Sequence, residues 1–452
     1  MCLLLLFLGG RISLFIRRMG EVVGFDPGAQ IEMVQKLTWA VPTTPIRESF
    51  YGYHPPLGFL MARTIHLLGP SPEVSVQIVS FTASLLAFFM MRSILKWLRL
   101  LYRPSGMAFL YFSASMPIQI SLSTSVNLDI LLLALSTVTL AGSVRLLWPS
   151  IAFRDTHLSA EPLPLTFGKK DANTRHRRHD ALLAACTIVG AIAGALMIKF
   201  SGLLLIAIPP LVLFAAPRTR GWFCRGSLAA VACTAALSLA FPYYYHRYYI
   251  PEGKFFPLNT EWEAKEGVER SIVKRDEDTL RFYIELFKPT KVYAEQGPTH
   301  SDADVNRLSD AWRDLWIRDS WTGDTHPAAL KVGLVYSRGV PWLMAMGVIF
   351  FLRRVRRRTL WIRLGWVLLA YSLVQLTALI QYIYRIPYAG YGPSKGIYIL
   401  PTVWGVSYLV VQSFQDPRLL PRMLRPHIHL LQHACLCAIA AFVVVNHAIP
   451  AY

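Results

Sequence analysis

The sequence predicts an all-α polytopic membrane fold, and three observations predict it. Of 452 residues, 54% are hydrophobic and only 16% are charged, with a mean hydropathy of +0.39; soluble domains carry about 25% charged residues. Apolar runs recur near the ~20 residues a helix needs to span a bilayer. The basic residues fall in short clusters between those runs, the placement that fixes topology. The net charge of +19 would suit nucleic acid, but the chain has no polar basic and aromatic module, which excludes that partner.

Eleven candidate spans follow in order: 2–17, 74–95, 105–122, 129–148, 181–198, 201–216, 226–243, 333–352, 361–382, 396–414 and 429–448. The fifth and sixth meet at Lys199-Phe200-Ser201 and read as a tight hairpin. Five basic clusters orient the set: Lys96, Arg99 and Arg103; Lys169, Lys170, Arg175, Arg177 and Arg178; Arg218, Arg220 and Arg225; the run Arg353 to Arg358; and Arg418, Arg422 and Arg425. All lie on one side if each span crosses once, so that side is cytosolic. There they also meet anionic lipid. Arg17 and Arg18 break the pattern and Arg11 interrupts the first run, as an incomplete first span would.

Two polar pieces then face outward, the loop 17–73 and a loop of about 90 residues from Tyr244 to Lys331. The long loop holds 16 acidic against 13 basic residues, so it is a charge-balanced outer module rather than a linker. The chain divides into a transmembrane module 1–243, the loop domain 244–332 and the C-terminal helices 333–452. Within the loop, "DVNRLSDAWRDLWIRDSW" places Leu308, Trp312, Leu315 and Trp316 at helical spacing. It fits either a helix on the bilayer surface or one packed on its own small domain. Six cysteines, none in the long polar loops and none in a CxxC pair, predict neither a disulfide framework nor a metal knuckle.

Ionisable groups at a membrane edge are expensive and mark functional sites. On the outer face they are few: Asp26, Glu32, Asp129, Lys199, Arg385 and Lys395, drawn from separate connections. Three acids and three bases meeting at one interface suit a substrate with an anionic head and an acceptor that must lose a proton. Each residue also has a plainer role. Asp26 before Pro27 and Asp129 at the start of the fourth span fit helix N-caps. Glu32 is nearly two helical turns from Asp26. His54 before Pro55-Pro56 fits the end of an extended segment, and Lys199 fits a snorkelling lysine.

"GFDPGAQIEMVQKLTWAVP" followed by "FYGYHPPLGFLMA" resembles the first outer loop of the GT-C glycosyltransferases, in the branch of protein O-mannosyltransferases and lipid A aminoarabinose transferases. "SVNLDILLLAL" resembles that family's Asn-x-Asp, "GALMIKFSGLLLI" its Lys-x-x-Gly, and "PSKGIYILP" its Lys/Arg-Gly-x-Tyr motif. The resemblance spans the first 216 residues and 385–401; the long loop shows none of it. It implies inverting transfer from a polyprenyl- or dolichyl-phosphate sugar to a protein, lipid or glycan acceptor. Asp26 would be the general base, with Asp129 and Glu32 as further site acids. Lys199, Lys395 and Arg385 would hold the lipid phosphate, and His54 and Tyr398 would contact substrate. No cofactor is implied with certainty, and a divalent metal stays open because relatives differ. A multi-pass protein of the bacterial inner membrane or the endoplasmic reticulum follows. A transporter or lipid flippase, using the same charges as a substrate path, is the rival reading; a non-catalytic assembly subunit is the third.

Overall fold

A computed structural model describes residues 2–24, 27–40, 54–148, 170–217, 221–255, 312, 315–317, 327–357, 359–385, 400–414 and 428–448. Among them every regular element is helical. The α-helices are α1 (Cys2–Arg18), α2 (Pro27–Lys36), α3 (Leu57–His66), α4 (Pro72–Trp97), α5 (Pro104–Ala114), α6 (Pro117–Thr124), α7 (Ile130–Leu147) and α8 (Lys170–Leu196). A 3-10 helix, Phe200–Ala207, leads into α9 (Ile208–Ala215). Then come α10 (Trp222–Tyr244), α11 (Pro327–Arg354), α12 (Leu360–Arg385), α13 (Val403–Ser413) and α14 (Ile428–Ala448). Six described helices are long and apolar enough to cross a bilayer, so the chain is a multi-pass membrane protein. They match the second, fourth, fifth, seventh, eighth and ninth expected spans.

Two other expected spans take a different form. The run 105–122 is not one helix but α5 and α6, broken at Ser115 and Met116. Pro117 cannot donate to the helix before it, and it drives its predecessor out of the α region; Met116 accordingly adopts φ −59°, ψ 137°. The run 201–216 begins as 3-10 helix and continues only eight residues as α9.

The bundle centres on α7, the most enclosed of the six long helices, which packs against α4, α8 and α9. On α1, the positions Phe7, Arg11, Leu14 and Arg18 turn inward, and this explains two of the three arginines that broke the topology pattern, Arg17 being exposed. Arg11 Nη1 donates to the Gln119 carbonyl at 2.9 Å and to the Ser123 hydroxyl at 2.5 Å, and Nη2 donates to the Ala114 carbonyl. The guanidinium thus meets the Ala114 carbonyl at the electronegative end of α5 and bridges from it to α6. Arg18 donates to Thr124 Oγ1 at 3.3 Å and pairs with Glu21 at 3.3 Å. Both arginines are structural ties from α1 to α6. Arg11→Met is expected to lower stability by at least about 3 kcal/mol, since each bond from a charged donor contributes about 1.5–3; thermal unfolding in detergent measures it.

The described residues around Trp312 pack against the helix bundle. Leu315, Trp316 and Ile317 are buried, and Trp312 Nε1 donates to the Ser337 carbonyl of α11 at 3.3 Å. Trp316 packs on Phe112 of α5 and on Tyr336 of α11, with ring centroids at 6.3 Å in both pairs. A run with two tryptophans and two aliphatic residues buries more apolar area between helices than on a headgroup surface.

Candidate functional site

Four chain connections meet over the ends of α7 and α8. The first precedes α2, where Val126 N–H donates to the Val23 carbonyl at 2.7 Å. Gly24 then runs with φ +155° so close to Val126 that a Cβ would collide with its carbonyl oxygen, so a side chain is excluded there. One turn into α2, Gln30 is buried and its Oε1 accepts from Leu128 N–H at 3.2 Å. The second connection carries His54, Pro55 and Pro56 into α3, where Leu57 N–H donates to the Met197 carbonyl at 2.9 Å.

The third connection is 125–129. Asn127 Oδ1 accepts from Asp129 N–H at 2.7 Å, an Asx turn that sets the approach to α7. Asp129 stands at the N-cap position but makes no side-chain cap bond, so capping is not what its carboxylate does. The fourth connection leaves α8 through Lys199, in extended conformation. Gly202 N–H returns to the Lys199 carbonyl at 2.9 Å, and a Cβ on Gly202 would overlap the Ala195 backbone. The Lys-x-x-Gly spacing therefore has a physical cause: glycine lets the 3-10 helix fold back against the end of α8. Tyr244 Oη supports the same end by donating to the Leu196 carbonyl at 2.6 Å.

These connections close around a small pocket lined by Gln30, His54, Pro55, Gly58, Phe59, Leu128, Asp129, Ile198 and Lys199. Lys199 Nζ and Asp129 Oδ1 pair at 2.6 Å across 70 residues of sequence, with side chains only 15% and 16% exposed. His54 joins them. Desolvation of its ring, and then the Lys199 ammonium, push the imidazole down to about 3, against the opposing pull of Asp129. At neutral pH His54 is therefore an uncharged hydrogen-bonding group and a poor proton acceptor. Among the described residues no three His, Cys, Asp or Glu side chains come together as a metal site.

A pH effect follows. The folded chain keeps His54 neutral down to about pH 3, whereas the unfolded imidazole titrates near 6.5. Stability held above pH 6.5 is thus lost as pH falls through that window. His54→Gln is expected to reduce the drop in melting midpoint between about pH 7.5 and pH 5, measured beside wild type.

Of the residues singled out in the sequence, the structure brings together Asp129, Lys199 and His54. Glu32 goes elsewhere: it pairs with Lys36 at 2.5 Å, with side chains 40% and 48% exposed. The reason is helical phase, since α2 turns Gln30, Met33 and Val34 inward and Glu32 lies off that stripe. Arg385 is the last residue of α12, its side chain undescribed. Asp26, Lys395 and Tyr398 lie outside the described residues. Sequence reasoning missed Gln30. Its signal was present: a polar residue at position i of the stripe 30, 33, 34, 37, whose other members are apolar and buried.

No protein-family model and no curated protein matches the chain. Among solved structures it is similar to the crystal structure of ArnT from Cupriavidus metallidurans in the apo state: 17% identity, 90% of this chain and 76% of that one covered, TM-score 0.39. It is likewise similar to ArnT from the same organism bound to undecaprenyl phosphate: 15% identity, 92% and 78% covered, TM-score 0.40. Likeness at this level leaves the reading of the pocket to its own side chains.

Proposed function

We propose that the chain is an inverting membrane glycosyltransferase, moving a sugar from a polyprenyl- or dolichyl-phosphate donor to an acceptor at the extracytoplasmic or lumenal face. One observation carries this reading: the Asp129–Lys199 pair, with neutral His54 and Gln30, stands in a pocket built by connections that the basic clusters assign to the non-cytosolic side. A carboxylate, an ammonium, an imidazole and a carboxamide offer a sugar and its phosphate both donors and acceptors.

In the reaction, the acceptor hydroxyl gives its proton to a carboxylate as its oxygen bonds the anomeric carbon. The bond from that carbon to the phosphate oxygen breaks, and the phosphate leaves with the electron pair and needs no proton. Asp26 is the proposed base. Lys199 holds the leaving phosphate with Lys395 and Arg385. Asp129 fixes the ammonium in place. His54 and Tyr398 contact the substrate. Protein, lipid and glycan acceptors all fit this scheme, in a bacterial inner membrane or the endoplasmic reticulum.

The break between α5 and α6 is the one feature that favours the rival transporter, since transporters bind substrate at discontinuous helices. Here Arg11 ties the two sides of that break together by donating to the Ala114 carbonyl before it and to the Gln119 carbonyl and Ser123 hydroxyl after it. Undecaprenyl phosphate is the probe that tests the donor site. Wild-type chain in nanodiscs is expected to bind it, and Lys199→Gln to bind it at least about tenfold more weakly. Equal binding by both proteins would remove Lys199 from the phosphate site.

A further inference from the structure

Arg11 and the run Ser115 to Asn127 around α6 hold more polar chemistry than their protein hydrogen bonds use. Arg11 Nε, Ser115 Oγ, Gln119 Nε2, Ser125 Oγ and Asn127 Nδ2 are buried and meet no hydrogen-bond partner among the described residues. The five residues are between 0% and 2% exposed. Nearby acceptors are already engaged, because the Ala114 and Gln119 carbonyls take the two Nη groups of Arg11. A buried donor without an acceptor costs about 1–3 kcal/mol, and five in one bundle would rival the whole stability of a domain. Three of the five atoms can only donate. Among the described residues, no carboxylate forms an ion pair with Arg11.

We propose that ordered internal waters fill a seam along α6, from the Arg11 guanidinium to Asn127. Water suits the lining because each molecule accepts from two donors and donates to two acceptors, matching a mixture of hydroxyls, carboxamides and one Nε–H. A single bound anion does not fit: the run 115–127 rises on the order of 15 Å at helical pitch, beyond the reach of one ion. The guanidinium also already faces two carbonyls and a hydroxyl. Asn127 gives the seam its end point. Its Oδ1 accepts from the Asp129 backbone N–H, while its Nδ2 donates to the last water, so the seam ends two residues from Asp129. The seam stands whether or not the pocket transfers sugar.

Met116 reports on it. It sits in the break, is 0% exposed, and its Sδ accepts from Ser407 Oγ at 3.6 Å. X-ray radiolysis of the full chain in nanodiscs makes hydroxyl radicals from bound water, which oxidise the side chains beside it. Met116 is expected to oxidise at least about tenfold faster than Met91, as waters at the break require; Met91 is equally buried in α4. Protection of Met116 equal to that of Met91 overturns the proposal, and this wild-type ratio decides even if no variant folds. The double variant Ser115→Ala, Gln119→Leu should bring Met116 down to the Met91 rate and leave exposed Met19 unchanged. Fast oxidation of Met116 in that variant would show that oxidant enters from bulk solvent, which also overturns it.

Discussion

Replacing Asp26 by asparagine is expected to abolish sugar transfer while leaving donor binding and folding nearly intact. Asparagine keeps the size of the side chain and removes only its capacity to accept a proton. Positioned general bases contribute about a hundredfold to ten-thousandfold in rate, so turnover should fall by that range with little change in donor affinity. The comparison uses the rate of donor consumption and the affinity for undecaprenyl phosphate on the same preparations. Wild-type turnover in the asparagine variant would remove Asp26 from the base role. An equal fall in folding yield would assign it to the start of α2 instead.

The second large effect concerns Asp129 and Lys199. Their contact at 2.6 Å, with little exposure on either side, makes each a charge partner of the other. Lys199→Gln leaves a carboxylate without its cation and strips the proposed phosphate site of a donor; Asp129→Asn leaves the ammonium free to shift. Each single variant should cost about 10²–10³ in turnover, the scale of losing one preorganised group. Stability should fall by about 1–3 kcal/mol, below the 3–5 of a fully buried pair because some solvent reaches this one. The double variant should be no slower than the slower single, since groups that act as a unit lose their effect once. Additive losses would mean that the two residues act in separate places.

Much of this arrangement was legible in the sequence, for reasons that differ by residue. Long apolar runs without internal proline, such as 74–95 and 129–148, became helices α4 and α7 because burial and backbone hydrogen bonding agree there. Lys199 and Asp129 stood out because charge at a helix end is costly unless used. Their pairing was not legible, since nothing local links positions 70 residues apart. Gln30 was missed because an uncharged side chain carries no cost signal, although its place on an apolar stripe was visible. The break at Met116 was written in Pro117 and was overridden by the hydropathy of the surrounding run. Arg11 and Arg18 read as topology errors because charge was counted without regard to helical face. Their four- and seven-residue spacings from Phe7 and Arg11 place them on one inward stripe.

Transfer itself tests the central claim most directly. Purified chain in nanodiscs would be incubated with a panel of labelled polyprenyl-phosphate sugars, wild type beside Lys199→Gln, and free polyprenyl phosphate measured against donor consumed. The expected result is that at least one donor yields polyprenyl phosphate one for one with sugar released or transferred by wild type, and that the variant nearly stops. The contradicting result is that wild type consumes no donor in the panel, or that Lys199→Gln consumes it at the same rate.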